Sequence, residues 1–578
     1  MEYIEIITII VVIIVLTVVF YVYSQKNYGT TIKNDHIYEY VIIGSGPAGL
    51  QAGYFLEKYK KDYIILEKSN TSGDFFKKYP IHRKLISINK VHTGSNNKDF
   101  NLRHDWNSLL SDDDSLLFKH YTKEFYPHAD YMVKYLNDYQ EKQKIKVAFN
   151  QNVIKVDKEN DMFKVETNNV TIKCKKLIVA SGFMKNNTGF EVPENSPECL
   201  NYKDLTRDKT RFINKNVCIL GGGNSAFETA NYLTDTAAVI QVFTKGPINH
   251  AWDTHYPGHL RAVNNDFLDV YNLKSQHAVN SLDEEDKIIV YKENNKYFVI
   301  TDADVDSNGK RKTEDHISGK NIDQHPEGGF DYVIDCTGFK IDTKIFGNII
   351  PIHNGKVPYI MGNFESANVE NLYFAGVLSQ EISYKYGSAA FIHGFRYLVS
   401  SMIKIETNNL DITRIETIEE VHKKIMYRMN TTSALYQMFN CLCDVIIFDK
   451  NEIIYIEEVT IRYAKAHYIG KYKKVILFSL NYGEVFDENK EYLQTQGFGK
   501  VNNPEGIEFI AGLKESAHLS EFIHPVFDLY YKKSAEYKYH LAEHLVAEFR
   551  LPGVHIEPLL EFLQKVNMYK GEVSSLKM

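Results

Sequence analysis

Cysteine is scarce in this chain: there are six in 578 residues, with no C-x-x-C pair among them. That argues against a disulfide-stapled small scaffold and against a cysteine-ligated zinc site, and it leaves a thioredoxin-reductase-like dithiol relay without its motif. Cys441-Leu442-Cys443 reads as two partly buried thiols rather than a redox pair. Positive charge is also in short supply. Lys and Arg total 67 against 74 Asp and Glu, a net charge of −7, so no nucleic-acid footprint is present. No internal repeat at solenoid spacing occurs. What remains is an ordinary globular composition, 44% apolar and 24% charged, in a chain long enough for two or three domains.

Long apolar runs are absent but for one. Residues 6–23 are uncharged, apolar and long enough to span a bilayer with little tilt. Tyr21-Val22-Tyr23-Ser24 lacks the small residues of a cleavage site, so residues 1–30 are expected to be an uncleaved single-pass anchor. Glu2 and Glu5 precede the run, and Lys26 and Lys33 follow it, which by the positive-inside rule puts the body on the cytosolic side.

The strongest signal lies just beyond. Tyr38-Glu39-Tyr40-Val41-Ile42-Ile43 has the apolar, partly β-branched character of a buried strand. Gly44-Ser45-Gly46-Pro47-Ala48-Gly49 fits G-x-G-x-x-G, a helical pattern runs to about Tyr59, and Tyr63-Ile64-Ile65-Leu66 ends on Glu67. In such a unit the first glycine allows the turn, the second lets backbone approach a pyrophosphate, and the third lets the helix pack on the strand. The helix N-terminus favours phosphate. Glu67 stands where a carboxylate accepts from an adenosine ribose. Met132 to Gln143 reads as an amphipathic helix, and Val147, Val153, Val156, Phe163 and Val165 as a β-meander. Lys176-Leu177-Ile178-Val179-Ala180-Ser181-Gly182 is a buried strand with a small-residue end that permits close approach of a ligand.

A second unit repeats the pattern. Asn216-Val217-Cys218-Ile219-Leu220 precedes Gly221-Gly222-Gly223-Asn224-Ser225-Ala226, which fits G-x-G-x-x-A and opens a helix to about Leu233. The next strand, Val239-Ile240-Gln241-Val242-Phe243, is followed by Thr244-Lys245 and no acid. A hydroxyl and a cation there suit a 2′-phosphate, hence NADPH over NADH. Asp331-Tyr332-Val333-Ile334-Asp335-Cys336-Thr337-Gly338 and Asn371-Leu372-Tyr373-Phe374-Ala375-Gly376 are two more strands with small-residue ends. His250, His255 and His259 cluster around Trp252, but Pro257-Gly258 breaks their helical spacing and no carboxylate pair completes a site, so no metal is expected. Residues 302–329 read as an exposed loop. Beyond Thr407, helical stretches around residues 416–438 and 540–549 flank a β-like run, Val475-Ile476-Leu477-Phe478-Ser479-Leu480, with no catalytic constellation.

With these residues in hand the chain resembles the ER flavoproteins associated with degradation, the FAD-dependent oxidoreductase domain-containing protein 2 family, within the wider flavin monooxygenase-like group. The matching stretches are residues 79–90 (YPIHRKLISINK), 100–110 (FNLRHDWNSLL), 223–229 (GNSAFET), 254–265 (THYPGHLRAVNN) and 391–397 (FIHGFRY), with Leu435-Tyr436-Gln437-Met438-Phe439 and His524-Pro525-Val526 further on. The resemblance implies FAD in the first site, NADPH in the second, and protein partners in ER quality control. It also implies that Asn89 and Lys90 lie beside the flavin, in a stretch that composition alone would make a basic surface loop. Two features depart from a soluble lumenal protein: the anchor-like run, and a final Ser575-Leu576-Lys577-Met578 that is no ER-retrieval tetrapeptide. The flanking charges point to the cytosol and the family to the lumen. Asn70, Asn169, Asn186 and Asn430 begin potential glycan tripeptides that distinguish the two sides.

The expected fold class is α/β: two nested Rossmann-like dinucleotide-binding domains, an N-terminal membrane anchor and a C-terminal α+β domain. The boundaries are an anchor at 1–30, an FAD-binding domain at 37–210 and 336–405, an NADPH-binding domain at 211–335, and a C-terminal domain at 406–578. The expected FAD set is Gly44, Ser45, Gly46, Pro47, Ala48, Gly49, Glu67, Lys68, Val153, Ser181, Gly182 and Gly376; the NADPH set is Gly221, Gly223, Asn224, Ser225, Ala226, Thr244 and Lys245. Three functions fit: an anchored NADPH-using flavin oxidoreductase at the ER membrane, a flavin monooxygenase acting on a small nitrogen or sulfur compound, or a flavin-stabilised binding module for misfolded proteins.

Overall fold

The computed structural model describes residues 29–33, 35–183, 185–187, 190–273, 278–283, 285, 287–302, 326, 328–449, 452–483, 517–520, 522–544, 547–571 and 576. The proposed anchor at residues 6–23 and most of the expected loop at 302–329 lie outside them. Among the described residues no helix is long and apolar enough to cross a membrane.

Parallel strands covered on both faces read as continuous apolar runs, and the first sheet is built from such runs. Its order is Val147–Ala148, Tyr63–Leu66, Ile37–Ile43, Thr171–Val179, Met162–Thr167, Val153–Glu159. The first four are mutually parallel, and the last two join them through antiparallel pairings. Val147 therefore belongs to the opposite edge from the meander to which its alternation assigned it. Strand Thr171–Val179 is nine residues long and divides its second edge between two partners. Its first half pairs with Met162–Thr167, whereas Leu177, Ile178 and Val179 pair in parallel with Leu372, Tyr373 and Phe374. The chain thus leaves the first sheet, builds a second, and comes back to close the first.

The second sheet is all parallel: Val279–Leu282, Val239–Lys245, Asn216–Leu220, Tyr332–Asp335, Cys199–Asn201. Two of the strands that pair within this half lie ahead of the expected boundary at 210. Cys199–Asn201 joins Tyr332–Asp335, and Phe190–Glu191 joins Ile288–Glu293. Strands of two or three residues carry too little periodicity to be read from sequence.

The C-terminal region is a six-stranded antiparallel sheet in the order Ile412–Ile415, Glu452–Thr460, Leu442–Asp449, Lys474–Asn481, His524–Tyr531, Ser534–His540. Helices Ile418–Thr431 and Glu557–Met568 pack together, with Val421, Ile425, Phe562 and Leu563 fully buried. No helix forms among the described residues of 540–549: His540 ends a strand instead. Tyr537 and Tyr539, two apart on that strand, both lie against Phe562, at 6.4 and 4.4 Å between ring centroids. That shared face fixes the extended form over the local helical pattern.

Two buried guanidiniums hold residues 102–108, and the first of them ties this domain to the first unit. Arg103 donates to the carbonyls of Met429 and Thr432, both at 3.0 Å, where helix Ile418–Thr431 ends and its dipole favours a cation. Arg396, on helix Ile392–Glu406, donates to the carbonyls of Leu102 and Ser108, both at 2.7 Å.

Candidate functional site

The first glycine loop runs from strand Ile37–Ile43 into helix Pro47–Lys58. A Cβ built on Gly49 would lie 1.9 Å from the Gly44 carbonyl oxygen, so only glycine lets this helix approach its strand. Gly44 has φ +99°, and a Cβ there would meet the Ala180 carbonyl at 2.8 Å. Strand Thr171–Val179 therefore delivers Ala180 and Ser181 directly against the loop, and Gly182 follows with open space in front of it. In front of Gly46, by contrast, nothing lies within 4 Å. Pro47 opens the helix, Ala48 is buried under it, and a Cβ on Gly376 would come 2.7 Å from that of Ala48.

Glu67 is 6% exposed and highly organised. Its Oε2 accepts from the Ser45 N–H (2.8 Å) and Ser45 hydroxyl (2.9 Å), and its Oε1 from the Ser69 N–H (3.0 Å). The Gln151 N–H donates to the Glu67 carbonyl at 2.8 Å, which brings the start of strand Val153–Glu159 beside it. Lys68 is exposed.

The second loop superposes on the first by register. Gly44 donates its N–H to the Leu66 carbonyl, and Gly221 donates to that of Phe243, each at 2.8 Å. Thr244 is therefore the positional counterpart of Glu67, and Lys245 of Lys68. Gly223 faces open space as Gly46 does, and Ala226 is fully buried where the helix meets the strand. Two expected ligands are otherwise engaged. Thr244 is buried inside strand Val239–Lys245, and its hydroxyl donates to the Gly246 carbonyl at 2.7 Å. Asn224 spends its whole amide on a neighbouring loop: it donates to the Gly258 and His259 carbonyls and accepts from the Arg261 N–H and the Asn264 side chain. Ser225 is half-buried and gives its carbonyl to Thr229, and Lys245 is exposed at the strand end.

Residues 87–107 form a polar wall. Asn89 is buried, its amide N–H groups donating to the Thr122 (2.9 Å) and Glu124 (3.3 Å) carbonyls. Lys90, expected beside the ring with it, is exposed: in extended chain the next side chain takes the other side. Behind Asn89, the Trp106 N–H donates to the Ile88 carbonyl (3.2 Å), and Asn107 donates to those of Ser87 and Ile88. Asn89 Oδ1, Asn107 Oδ1 and both ring nitrogens of His393 are buried and, among the described residues, find no partner. An unpaired buried polar group costs about 1–3 kcal/mol, so several around one segment mark a place for a polar ligand. Trp106, Asn107, Arg261 and His393 are not among the residues expected from sequence. Their only sequence signal is that they fall in the matching stretches 100–110, 254–265 and 391–397.

Two of the three histidines of residues 250–259 have side-chain partners in the protein. His259 Nδ1 lies 2.6 Å from the Thr254 hydroxyl, and His255 Nδ1 lies 2.7 Å from the Tyr482 hydroxyl of the C-terminal sheet.

Two other matching stretches meet at Glu228. Its carboxylate, on helix Asn224–Leu233, accepts from the His82 N–H (3.1 Å) and the Tyr202 hydroxyl (3.1 and 3.2 Å). Burial pushes the Glu228 carboxyl up to about 7. The His82 ring, stacked on Tyr232 at 4.1 Å, is pushed down to about 4 by burial and by Lys209.

Residues 41–376 match the family model described as pyridine nucleotide-disulphide oxidoreductase. FAD-dependent oxidoreductase domain-containing protein 2 of Mus musculus is 32% identical over 574 residues, covering 91% of this chain and 83% of the relative. Its Danio rerio namesake is 32% identical over 603 residues with the same coverage. Bacillithiol disulfide reductase Bdr from Staphylococcus aureus, a solved structure, is 21% identical, with TM-score 0.46 over 64% of this chain and 99% of its own.

The Glu228 contact gives a pH signature. A carboxyl whose folded pKa is raised stabilises most when neutral, and that contribution fades as pH rises through 7. His82 has the opposite sign: its contribution is full above the ordinary histidine range and fades as pH falls towards 4. Glu228→Gln removes only the first. The melting temperature of the variant should therefore gain on wild type between pH 5 and pH 8, by the equivalent of about 2–3 kcal/mol. A difference that stays constant with pH would mean that Glu228 ionises normally.

Proposed function

The chain belongs to the FAD-dependent oxidoreductases of the pyridine nucleotide-disulphide family, as a relative of FAD-dependent oxidoreductase domain-containing protein 2, and we propose that it is a membrane-anchored NADPH-using enzyme of this kind. One observation carries the reading: two glycine loops in the same strand register, one backed by the carboxylate of Glu67 and the other followed by the ammonium of Lys245. The open faces of Gly46 and Gly223 fit two pyrophosphates, each at the N-terminus of a helix.

Bound FAD supplies a ring that accepts an electron pair from a nicotinamide and passes it on. The chain supplies the rest. Glu67 Oε1 keeps acceptor capacity for a ribose hydroxyl, with the carboxylate fixed by Ser45 and Ser69. Asn89 and Asn107 offer carbonyl oxygens to ring N–H groups. Lys245 attracts a 2′-phosphate, aided by the absence of a carboxylate at Thr244.

No cysteine of this chain is poised as the acceptor. Five of the six cysteines are buried and Cys199 is half-buried, and burial raises every one of their pKa values, so the thiols stay protonated and unreactive. Cys441 and Cys443 are 3% and 0% exposed, deeper than their sequence context indicates. The run at residues 6–23 and the family resemblance support residence at the ER membrane with quality-control proteins as partners.

Full-length protein should purify with FAD, and Gly46→Val should abolish flavin binding. The open space around Gly46 means that the variant still folds. Retention of full flavin absorbance by folded Gly46→Val would remove the first loop from the cofactor site.

Lys245→Glu should weaken NADPH relative to NADH by about ten- to a hundred-fold, the worth of one charge-assisted hydrogen bond, without loss of flavin. Anaerobic flavin reduction with each nucleotide measures the ratio. An unchanged ratio would make Lys245 a solvated surface residue.

Carbonate extraction should leave the chain in the membrane pellet, and its release would rule out insertion through residues 6–23. Sidedness has a structural reporter. Asn70 and Asn169 are exposed, whereas Asn430 is buried and bonded to the Met426 and Phe549 carbonyls. An endoglycosidase shift that disappears in the double variant Asn70→Gln, Asn169→Gln would place the body in the lumen.

A further inference from the structure

His393 is the most conspicuous polar side chain that the two-site reading leaves unused. It sits in the first turn of helix Ile392–Glu406 with 0% exposure. Its ring lies flat on Trp106, centroids 4.3 Å apart at 17°, and Phe391 stacks near it at 5.8 Å. Burial, with Arg396 and Arg261 nearby, drives its pKa well below the ordinary range, so the imidazole is neutral. A neutral imidazole has one N–H donor and one acceptor nitrogen. Neither finds a partner among the described residues. Stacking returns less than two unmade hydrogen bonds forfeit in a buried site. A ring that served packing alone would be better as phenylalanine.

Its surroundings say what completes it. Trp106 is bonded to Ile88, next to Asn89, whose carbonyl oxygen is also unpaired. Arg261 covers Trp106, its guanidinium 4.8 Å from the ring centroid, and the Arg261 N–H is held by Asn224 of the second glycine loop. Gly376, at the end of the strand that closes the first sheet, abuts Ala48 of the first loop's helix. His393 thus sits on a helix that packs against the first loop's helix, with its ring on Trp106, which the Arg261 guanidinium also contacts.

We propose that His393 is a positioning residue for the flavin, its unpaired ring nitrogens hydrogen-bonding the polar edge of the bound isoalloxazine and Trp106 fixing the plane in which it does so. The proposal rests on the flavoprotein reading above. A donor at that edge stabilises the electron-rich reduced ring more than the oxidised one, so it raises the midpoint potential.

The test uses full-length, FAD-loaded protein in detergent: wild type, His393→Phe, which keeps a ring on Trp106 and removes both nitrogens, and His393→Gln, which keeps a donor and an acceptor. The expected result is equal FAD content in all three. The visible bands of the flavin shift in His393→Phe and return towards wild type in His393→Gln. Equilibrated with a reference dye at one fixed potential, His393→Phe should show at least a threefold higher ratio of oxidised to reduced flavin, and His393→Gln a ratio within twofold of wild type. Wild-type bands and ratio in His393→Phe would overturn the role. So would equal loss of flavin from both folded variants, since that marks a packing residue. Wild-type protein that neither purifies with FAD nor takes it up would overturn the flavoprotein reading itself.

Discussion

The segment between Leu102 and Ser108 is held by two guanidiniums that never reach water. Arg396 grips its two ends from the helix that follows the first sheet, and Arg103 reaches out of it to the end of a helix in the C-terminal domain. Each charged hydrogen bond of this kind contributes roughly 1.5–3 kcal/mol, and a buried guanidinium deprived of its carbonyls would cost far more. The polar wall depends on that grip. Trp106 and Asn107 lie inside the segment, and their bonds to Ser87 and Ile88 set the position of Asn89. A domain with no catalytic constellation of its own therefore braces the surface on which the chemistry is expected.

The two glycine loops solve one geometric problem with different stringency. At the first, a methyl group in place of the Gly49 hydrogen would run into the Gly44 carbonyl. At the second, Ala226 already carries that methyl. The partner residues differ to match. Glu67 is fixed by three donors before any ligand arrives, which removes an entropic cost from binding. Lys245 is an exposed surface cation whose attraction acts at a distance and weakens with salt.

Both loops were legible because each signal is local: strand, glycines, helix and second strand fall within some thirty residues, and the period of each element is unambiguous. The engagement of Thr244 was not legible because the strand runs on to Lys245 and the turn at Gly246, three residues past the expected strand end, takes its hydroxyl. Asn224 misled because its partners, Gly258 to Asn264, belong to a loop that no periodicity places. The wall was illegible for a stronger reason. Asn89, Trp106, Arg261 and His393 come from four separated stretches, and only the tertiary fold assembles them. Family resemblance picked out the stretches without saying which side chains face one another, and it placed Lys90 beside Asn89 where an extended backbone turns it away. In the C-terminal region, stacking of tyrosines on Phe562 overrode a helical pattern at His540.

The shared edge of strand Thr171–Val179 has a consequence for biogenesis. Val179 must wait for Phe374, which leaves the ribosome roughly 200 residues later, about 10–40 s at ordinary elongation rates. Throughout that interval the nascent first sheet carries an open, apolar, unpaired edge. The helix bearing His393 and Arg396 emerges later still, so the polar wall is not completed during synthesis of the first half. The nested topology thus delays completion of the first sheet, and of the wall beside it, until more than half of the chain has been made.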